Sequence, residues 1–256
     1  MQKLPVLNNA YLITENEKIA DFGSMDQLPE VEADVSIDAS GKVILPAWCD
    51  SHTHLVYAGN REKEFVDRIR GLSYEEIASR GGGILNSAQK LQASSEDEIY
   101  TQSAARIQEV MRLGTGAIEI KSGYGLTKDA ELKMLRVIHR LAKDFPIAVK
   151  STFLGAHAIP KEFEDDTEAY VDLVCDQMIP QVASSGLAEF IDVFCEEGYF
   201  SVGQMERILS RGREFDLIPK IHVNQFTSLG GVQAGIRQRA LSIDHLEIKS
   251  PKDFDA

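Results

Sequence analysis

Cysteine is scarce in this chain. Three stand among 256 residues, Cys49, Cys175 and Cys195, an odd number at wide spacing with no Cys-x-x-Cys pair. That argues against a disulfide framework and fits a reducing compartment. No run approaches the roughly 18 apolar residues of a membrane span, and the N-terminus has no apolar core of a signal peptide. A cytoplasmic protein is therefore expected. Positive charge is short as well: 27 Lys and Arg face 40 Asp and Glu, a net of −13. This excess argues against nucleic acid or an anionic membrane as the main partner, and it is read as a contribution to solubility. The first apolar run is not followed by Gly-x-Gly-x-x-Gly, which disfavours a dinucleotide-binding sheet. Gly81-Gly82-Gly83 has no following Lys-Ser/Thr, so it is not a phosphate loop and reads as a mobile turn or a lid.

What is present is ordinary globular material, 43% hydrophobic and 26% charged, enough for a sizeable core in one large domain or two modest ones. Residues 1–42 read as short β pieces, at 10–14, 18–22 and 31–37, separated by polar turns. From Val43 the rhythm becomes strand, loop, helix, repeated. Candidate strands are 43–52, 116–121, 147–153, 190–195, 218–223 and 240–244. Candidate helices lie between them. One opens at Ser95 with capping-box spacing to Glu98 and stops at Gly114; others cover 130–143, 168–183, 202–213 and 230–239. Six strands each leading toward a helix indicate a parallel α/β sheet.

Polar residues gather where those strands end. His52 and His54 close the first strand and Lys121 the second. His157 follows the third, Glu196 ends the fourth, His222 the fifth and His245 the sixth. Five of the six histidines thus fall at or just past a strand end; His139, on a helix among basic residues, is assigned to the solvated side. A (β/α) barrel puts its active groups at that end of the sheet, so the barrel is preferred to the open doubly wound sheet. Side chains two apart on a strand share a face, so His52 and His54 leave the strand together, about 6 to 7 Å apart at the backbone. Taken alone, the pair is either a metal grip, with Zn–N bonds of about 2 Å, or two hydrogen-bonded structural histidines. His222 at another strand end tips the balance toward metal. A barrel has eight strands, and only about six β/α units are legible here, so the chain is expected to be a fragment of a longer enzyme.

The residues also carry a close resemblance to the imidazolonepropionase family of the amidohydrolase superfamily. The matching segments are 50–62, beginning Asp-Ser-His-Thr-His, then 73–78 and 81–84. Further on come 119–126, Glu-Ile-Lys-Ser-Gly-Tyr-Gly-Leu, and 152–157, Thr-Phe-Leu-Gly-Ala-His, followed by 192–196, 221–226 and 244–247. The likeness runs over nearly the whole chain from about residue 8.

The resemblance implies a TIM-type barrel of the amidohydrolase kind with the remnant of a small N-terminal β-sandwich, the division falling at 42/43. It implies hydrolysis of the ring amide of 4-imidazolone-5-propanoate to N-formimidoyl-L-glutamate, in histidine degradation, by a metal-activated water. One Zn2+ or Fe ion would be held by His52, His54 and His222, with an aspartate beyond residue 256 as fourth ligand. A metal in such a place lowers the pKa of its water toward ~7. Relatives with two metals bridge them with a lysine ending the fourth strand. Phe194-Cys195-Glu196 has none there, so one metal is expected, and Lys121 is left a structural ion pair. His245 and Gln225 would be the catalytic groups. Gln225 stands where some relatives carry glutamate, and an amide cannot act as a base. Arg61, Tyr124, His157 and Gln225 would bind substrate, Arg61 as a bidentate fork on the propionate. A homodimer is implied for the full-length enzyme. The fragment alone, two strands short of closure with open sheet edges, is expected to be inactive or poorly folded. Two alternatives remain: another mononuclear amidohydrolase such as a nucleobase deaminase, and a non-catalytic fragment.

Overall fold

The computed structural model describes residues 5–72, 76 and 83–254. The chain divides into two compact units, Met1–Leu45 and Pro46–Ala256. In the first, β1 (Ala10–Glu15) and β2 (Lys18–Ser24) pair antiparallel. Asn16 and Glu17 between them both have positive φ, 51° and 62°, the backbone that matches the twist of a two-residue hairpin. The third strand expected at 31–37 is absent. A strand needs a ladder partner, and among the described residues the hairpin pairs only with itself, leaving Val35 74% and Ile37 82% exposed.

The second unit alternates strands and helices. In chain order they are β3 (Trp48–Thr53), α1 (Glu62–Ile69), α2 (Gly83–Ala93), α3 (Glu96–Arg112), β4 (Thr115–Lys121), α4 (Lys128–Asp144) and β5 (Ala148–Ala156). There follow α5 (Thr167–Leu173), α6 (Ile179–Ser185), β6 (Phe190–Cys195), α7 (Val202–Arg213), β7 (Ile218–Pro219), β8 (Ile221–Val223), α8 (Gly231–Arg237), β9 (Ile243–His245) and α9 (Pro251–Phe254). The sheet order is β3-β4-β5-β6-β8-β9, every pair parallel, with β7 beside β6. This is the α/β architecture expected.

The sheet curls. Side chains of β3 and β9, at opposite ends of the strand order, meet where His52 Nδ1 approaches Asp244 Oδ2 at 2.8 Å. Lys220, between β7 and β8, reaches the Ser51 carbonyl of β3 at 3.1 Å. The inner strands are buried on both faces, as parallel strands under helices are, and β6 is buried at every position from Ile191 to Cys195. Helix α4 shows how the outer layer is held. Thr127 caps it by accepting from Ala130 N, and Leu132, Met134, Leu135, Val137, Ile138 and Leu141 are buried along it. Each such side chain contributes roughly 1.5–3 kcal/mol on burial. Helix α3 has the full capping box between Ser95 and Glu98.

Several expected boundaries moved. The run Val43–Ala47 is not part of β3, because Pro46 has no N–H to give a ladder and restricts Leu45; pairing begins at Trp48 N to Gly114 O, 2.9 Å. The expected helix 168–183 is interrupted by a π-helical turn at Val174–Met178. Pro180, in the first turn of α6, cannot close an i→i−4 bond, and Ile179 N bonds Val174 O instead. The segment 218–223 is split at Lys220, and the last strand is only three residues long.

Candidate metal and substrate site

Every residue singled out from sequence as a ligand, substrate contact or catalytic group lines one cavity of about 240 Å³. His52 and His54 come from β3 and the turn after it, and Arg61 from the start of α1. Tyr124 follows β4, His157 follows β5, His222 and Gln225 belong to β8 and its loop, and His245 ends β9. Phe194, Tyr199, Phe226 and Ile84 complete the wall. His139 is exposed on α4, as expected. Gly81 and Gly82 lie outside the described residues, as do Ser73, Tyr74, Glu75, Ile77 and Ala78 of the matching segments.

The imidazoles are crowded. His54 Nε2 and His222 Nε2 stand 3.4 Å apart, and the rings of His52 and His222 are 4.4 Å apart. His245 is 5.2 Å from His52 and 5.1 Å from His222, ring to ring, while His54 stacks on His157 at 4.9 Å. Among the described residues, two groups have ligand atoms all within 4.8 Å: His52 with His222 and His245, and Asp192 with His222 and Asp244. The expected trio is not one of those groups, although His54 faces His222 across 3.4 Å.

Hydrogen bonds fix which nitrogen carries the proton. His52 Nδ1 meets the Asp244 carboxylate, His245 Nδ1 meets Glu247 Oε1 at 3.1 Å, and His157 Nδ1 meets the Gly123 carbonyl at 3.0 Å. Carboxylate and carbonyl oxygens only accept here, so each Nδ1 donates, and in the neutral ring Nε2 is the acceptor. Burial, reinforced by His157 and His222, holds His54 well below the usual imidazole range. Burial, with His222 as the next cause, lowers His157 to about 3. His222 is lowered by burial in spite of Asp192 beside it. Neutral imidazoles with free lone pairs are the donor set a divalent ion takes, so the residues fit a metal.

Two local devices shape the walls. Gly123 has φ +107°, and a Cβ there would fall 2.8 Å from His157 Nδ1, so the turn before Tyr124 requires glycine. Glu131, fully buried, accepts from the backbone N–H of Gly123, Gly125 and Leu126 and so holds that loop in place. Burial raises its carboxyl above the usual range despite those bonds. Glu196 does the same after β8, accepting from Gln225 N, Phe226 N and the Thr227 hydroxyl. His245 itself has φ 78°, an uncommon backbone for a side chain of its size. Arg61 Nε pairs with Glu64 at 2.9 Å.

Sequence reading missed Glu131 and gave Glu196, Asp192 and Asp244 no role. Beneath the imidazoles Asp192 and Asp244 join Glu119 and two lysines, Lys121 and Lys220. Burial opposes the Lys121 charge, but Asp192 and Glu119 outweigh it and raise the ammonium above its usual pKa. Burial likewise opposes the Asp192 and Asp244 carboxylates. His222 and Lys121 around Asp192, and His52 and Lys121 around Asp244, hold both below the carboxylate range. Strand parity is the signal that was available: Glu119 and Lys121 are two apart on β4, and Asp192, Phe194 and Glu196 alternate on and just past β6. The cysteines stay outside this chemistry; burial pushes the Cys175 and Cys195 thiols up to about 11 and about 12.

No family model matches the chain. Individual proteins do. It is 62% identical over 255 residues to the imidazolonepropionase of Christiangramia forsetii and 61% identical over 256 residues to that of Flavobacterium johnsoniae. Each alignment covers 100% of this chain and 62% of the relative. With the Pseudomonas putida imidazolonepropionase it shares 42% over 247 residues, 96% of this chain and 62% of that protein. The chain thus spans about 62% of the length of these curated relatives. Among solved structures, 5-methylcytosine deaminase from Klebsiella pneumoniae superposes with a TM-score of 0.65 at 12% identity, over 91% of this chain and 54% of that one. Ochratoxinase from A. niger gives 0.63 at 16%, over 97% and 58%. Guanine deaminase from C. acetobutylicum gives 0.60 at 14%, over 99% and 61%. At such identities the likeness speaks for the fold alone, the curled parallel α/β sheet described above. By sequence, this chain is similar to the imidazolonepropionases along a stretch of about 62% of their length.

Proposed function

We propose that the protein carrying this chain hydrolyses the ring amide of 4-imidazolone-5-propanoate to N-formimidoyl-L-glutamate, a step of histidine degradation. One observation carries the reading. Eight residues expected at such a site, from segments scattered between His52 and His245, line a single cavity of about 240 Å³, in a chain 62% identical to an imidazolonepropionase.

His52, His54 and His222 would hold one divalent ion. Bound there, the ion would supply polarisation of a carbonyl and a more acidic water. The rest falls to the chain's own side chains. Arg61 uses Nε on Glu64, and its two terminal amino groups are the pair suited to a propionate carboxylate. Tyr124 and His157 stand together, 5.5 Å ring to ring, and His157 Nε2 can accept a ring N–H. Gln225, its backbone held by Glu196, positions the ring through its amide and cannot take a proton. His245, its Nδ1 on Glu247, in the neutral form offers Nε2 to accept the proton of the attacking water and then return it to the ring nitrogen as the C–N bond breaks.

Zinc or iron as the ion, a homodimer and a cytoplasmic location belong to the same reading. The first two rest on the family resemblance. The last rests on the low cysteine count and three unpaired thiols. Among the described residues, no helix is long and apolar enough to cross a membrane. The test is direct: the full protein, loaded with Zn2+ or Fe2+, should open the imidazolone ring and release N-formimidoyl-L-glutamate. A folded, metal-replete protein that leaves the ring intact would overturn the proposal. Deamination of cytosine or guanine by the same preparation would favour a nucleobase enzyme instead.

A further inference from the structure

Beneath His52 and His222, one ammonium touches both carboxylates that face them. Lys121, with no exposed side-chain surface, lies 2.8 Å from Glu119 Oε1, 2.7 Å from Asp192 Oδ2 and 3.2 Å from Asp244 Oδ2. Those same two aspartate oxygens face the histidines. Asp244 Oδ2 accepts from His52 Nδ1, and Asp192 Oδ2 lies 2.8 Å from His222 Nδ1, off the line of an aligned bond. These six side chains come from five strands, β3, β4, β6, β8 and β9, and only Glu119 and Lys121, two apart on β4, are close in sequence.

Asp192, His222 and Asp244 also bring ligand atoms within 4.8 Å of one another, the spacing of a cation site. A cation is already there. Lys121 sits on two of the three, in a charge-assisted hydrogen bond to Asp192 at 2.7 Å and an ion pair with Asp244 at 3.2 Å. An unshared ion at that place would have to displace a fully buried lysine and leave its charge unpaired, which is strongly unfavourable.

We propose that Lys121 is the positioning residue of the metal site: its ammonium stands in for a second cation and clamps Asp192 and Asp244, so that His52 and His222 turn their Nε2 atoms toward a single divalent ion. This rests on the reading that His52 and His222 hold one metal ion, and it adds one claim to it: the affinity for that ion is set by a lysine that never touches it. Carboxylates behind metal-binding imidazoles fix tautomer and ring orientation, and losing them costs on the order of 10- to 100-fold in affinity.

The experiment uses the full protein, with Zn2+ as probe. Competition against a chromophoric chelator gives stoichiometry and affinity, and long-range 1H–15N spectra of the metal-free protein give the histidine tautomers. Wild type should bind one equivalent, with His52 and His222 protonated at Nδ1. Lys121→Met should weaken Zn2+ by at least about tenfold and mix both tautomers. Should Lys121→Met fail to fold, Asp244→Asn keeps Lys121 and Asp192 in place. It should weaken Zn2+ by a similar factor and disturb His52 but not His222. No Zn2+ binding by wild type would sink the metal reading itself. A wild type that binds one ion, with either variant folded, within twofold in affinity and unchanged in tautomer, would overturn the role of Lys121 alone. Two equivalents in wild type would overturn it as well.

Discussion

Asp244 Oδ2 lies 2.8 Å from His52 Nδ1, although 192 residues separate them in the chain. The contact joins the two edge strands of the ordered sheet, β3 and β9, across the inside of its curl. Asp244 also pairs with buried Lys121, and removing one partner of a buried ion pair costs about 3–5 kcal/mol. Asp244 is 12% exposed and His52 is 26% exposed, so the lower figure is discounted further for solvent. Asp244→Leu is expected to destabilise the protein by about 2 kcal/mol, read as a lower urea midpoint at unchanged slope. A loss below about 0.5 kcal/mol would mean that the pair does not tie the sheet together.

Arg61 is predicted to act on substrate affinity. Arg61→Met should raise KM for imidazolone propionate by about thirtyfold, the equivalent of about 2 kcal/mol for a charged hydrogen-bonded contact, with kcat changed far less. Urea unfolding should be nearly unchanged, because the side chain is 41% exposed and its ion pair with Glu64 is local. An unchanged KM removes the carboxylate clamp from the proposed function.

Glu131 offers a prediction about the loop carrying Tyr124. Glu131→Ala takes the acceptor from three backbone N–H groups in a buried place. Each stranded donor costs about 1–3 kcal/mol, so a loss of at least about 3 kcal/mol is expected. Hydrogen exchange at Gly123, Gly125 and Leu126 should accelerate before that of the β-strands. Equal protection in the variant would contradict the anchoring role.

The metal-free protein should lose stability in mild acid. His54, His157 and His222 all hold their protons less readily when folded than the ordinary imidazole does, His157 down to about 3. Their folded pKa values lie below the unfolded one of about 6.5. Between those values the unfolded chain binds more protons, so stability is complete above about pH 6.5 and falls as pH drops toward 3. Chelator-treated protein should therefore show a falling urea midpoint from pH 7.5 to 6 to 5, and His157→Gln should flatten that slope. A midpoint that rises on acidification would contradict the sign.

Much of this was legible in the amino acids alone, and the reason is locality. The capping box Ser95–Glu98 needs only three residues of spacing, and Val202–Arg213 is a helix at the bounds its pattern predicts. Strand-end histidines were readable because a parallel sheet sends every strand the same way. Once β3, β5, β8 and β9 are recognised, His52, His157, His222 and His245 fall at one end. The failures were local patterns that tertiary structure overruled. Val43–Ala47 has the apolar look of a strand but not the hydrogen-bonding partner, and 31–37 alternates without a neighbour to pair with.

The sequence by itself determined which side chains could reach the site, since strand parity and helix spacing are properties of a few adjacent residues. Only the tertiary structure decided what lies behind them. The meeting of Lys121 with Asp192 and Asp244, and of each aspartate with an imidazole, depends on how far the sheet curls and which strands end up facing each other across it. Those are sums over all the strand pairings, and no short stretch of chain encodes them.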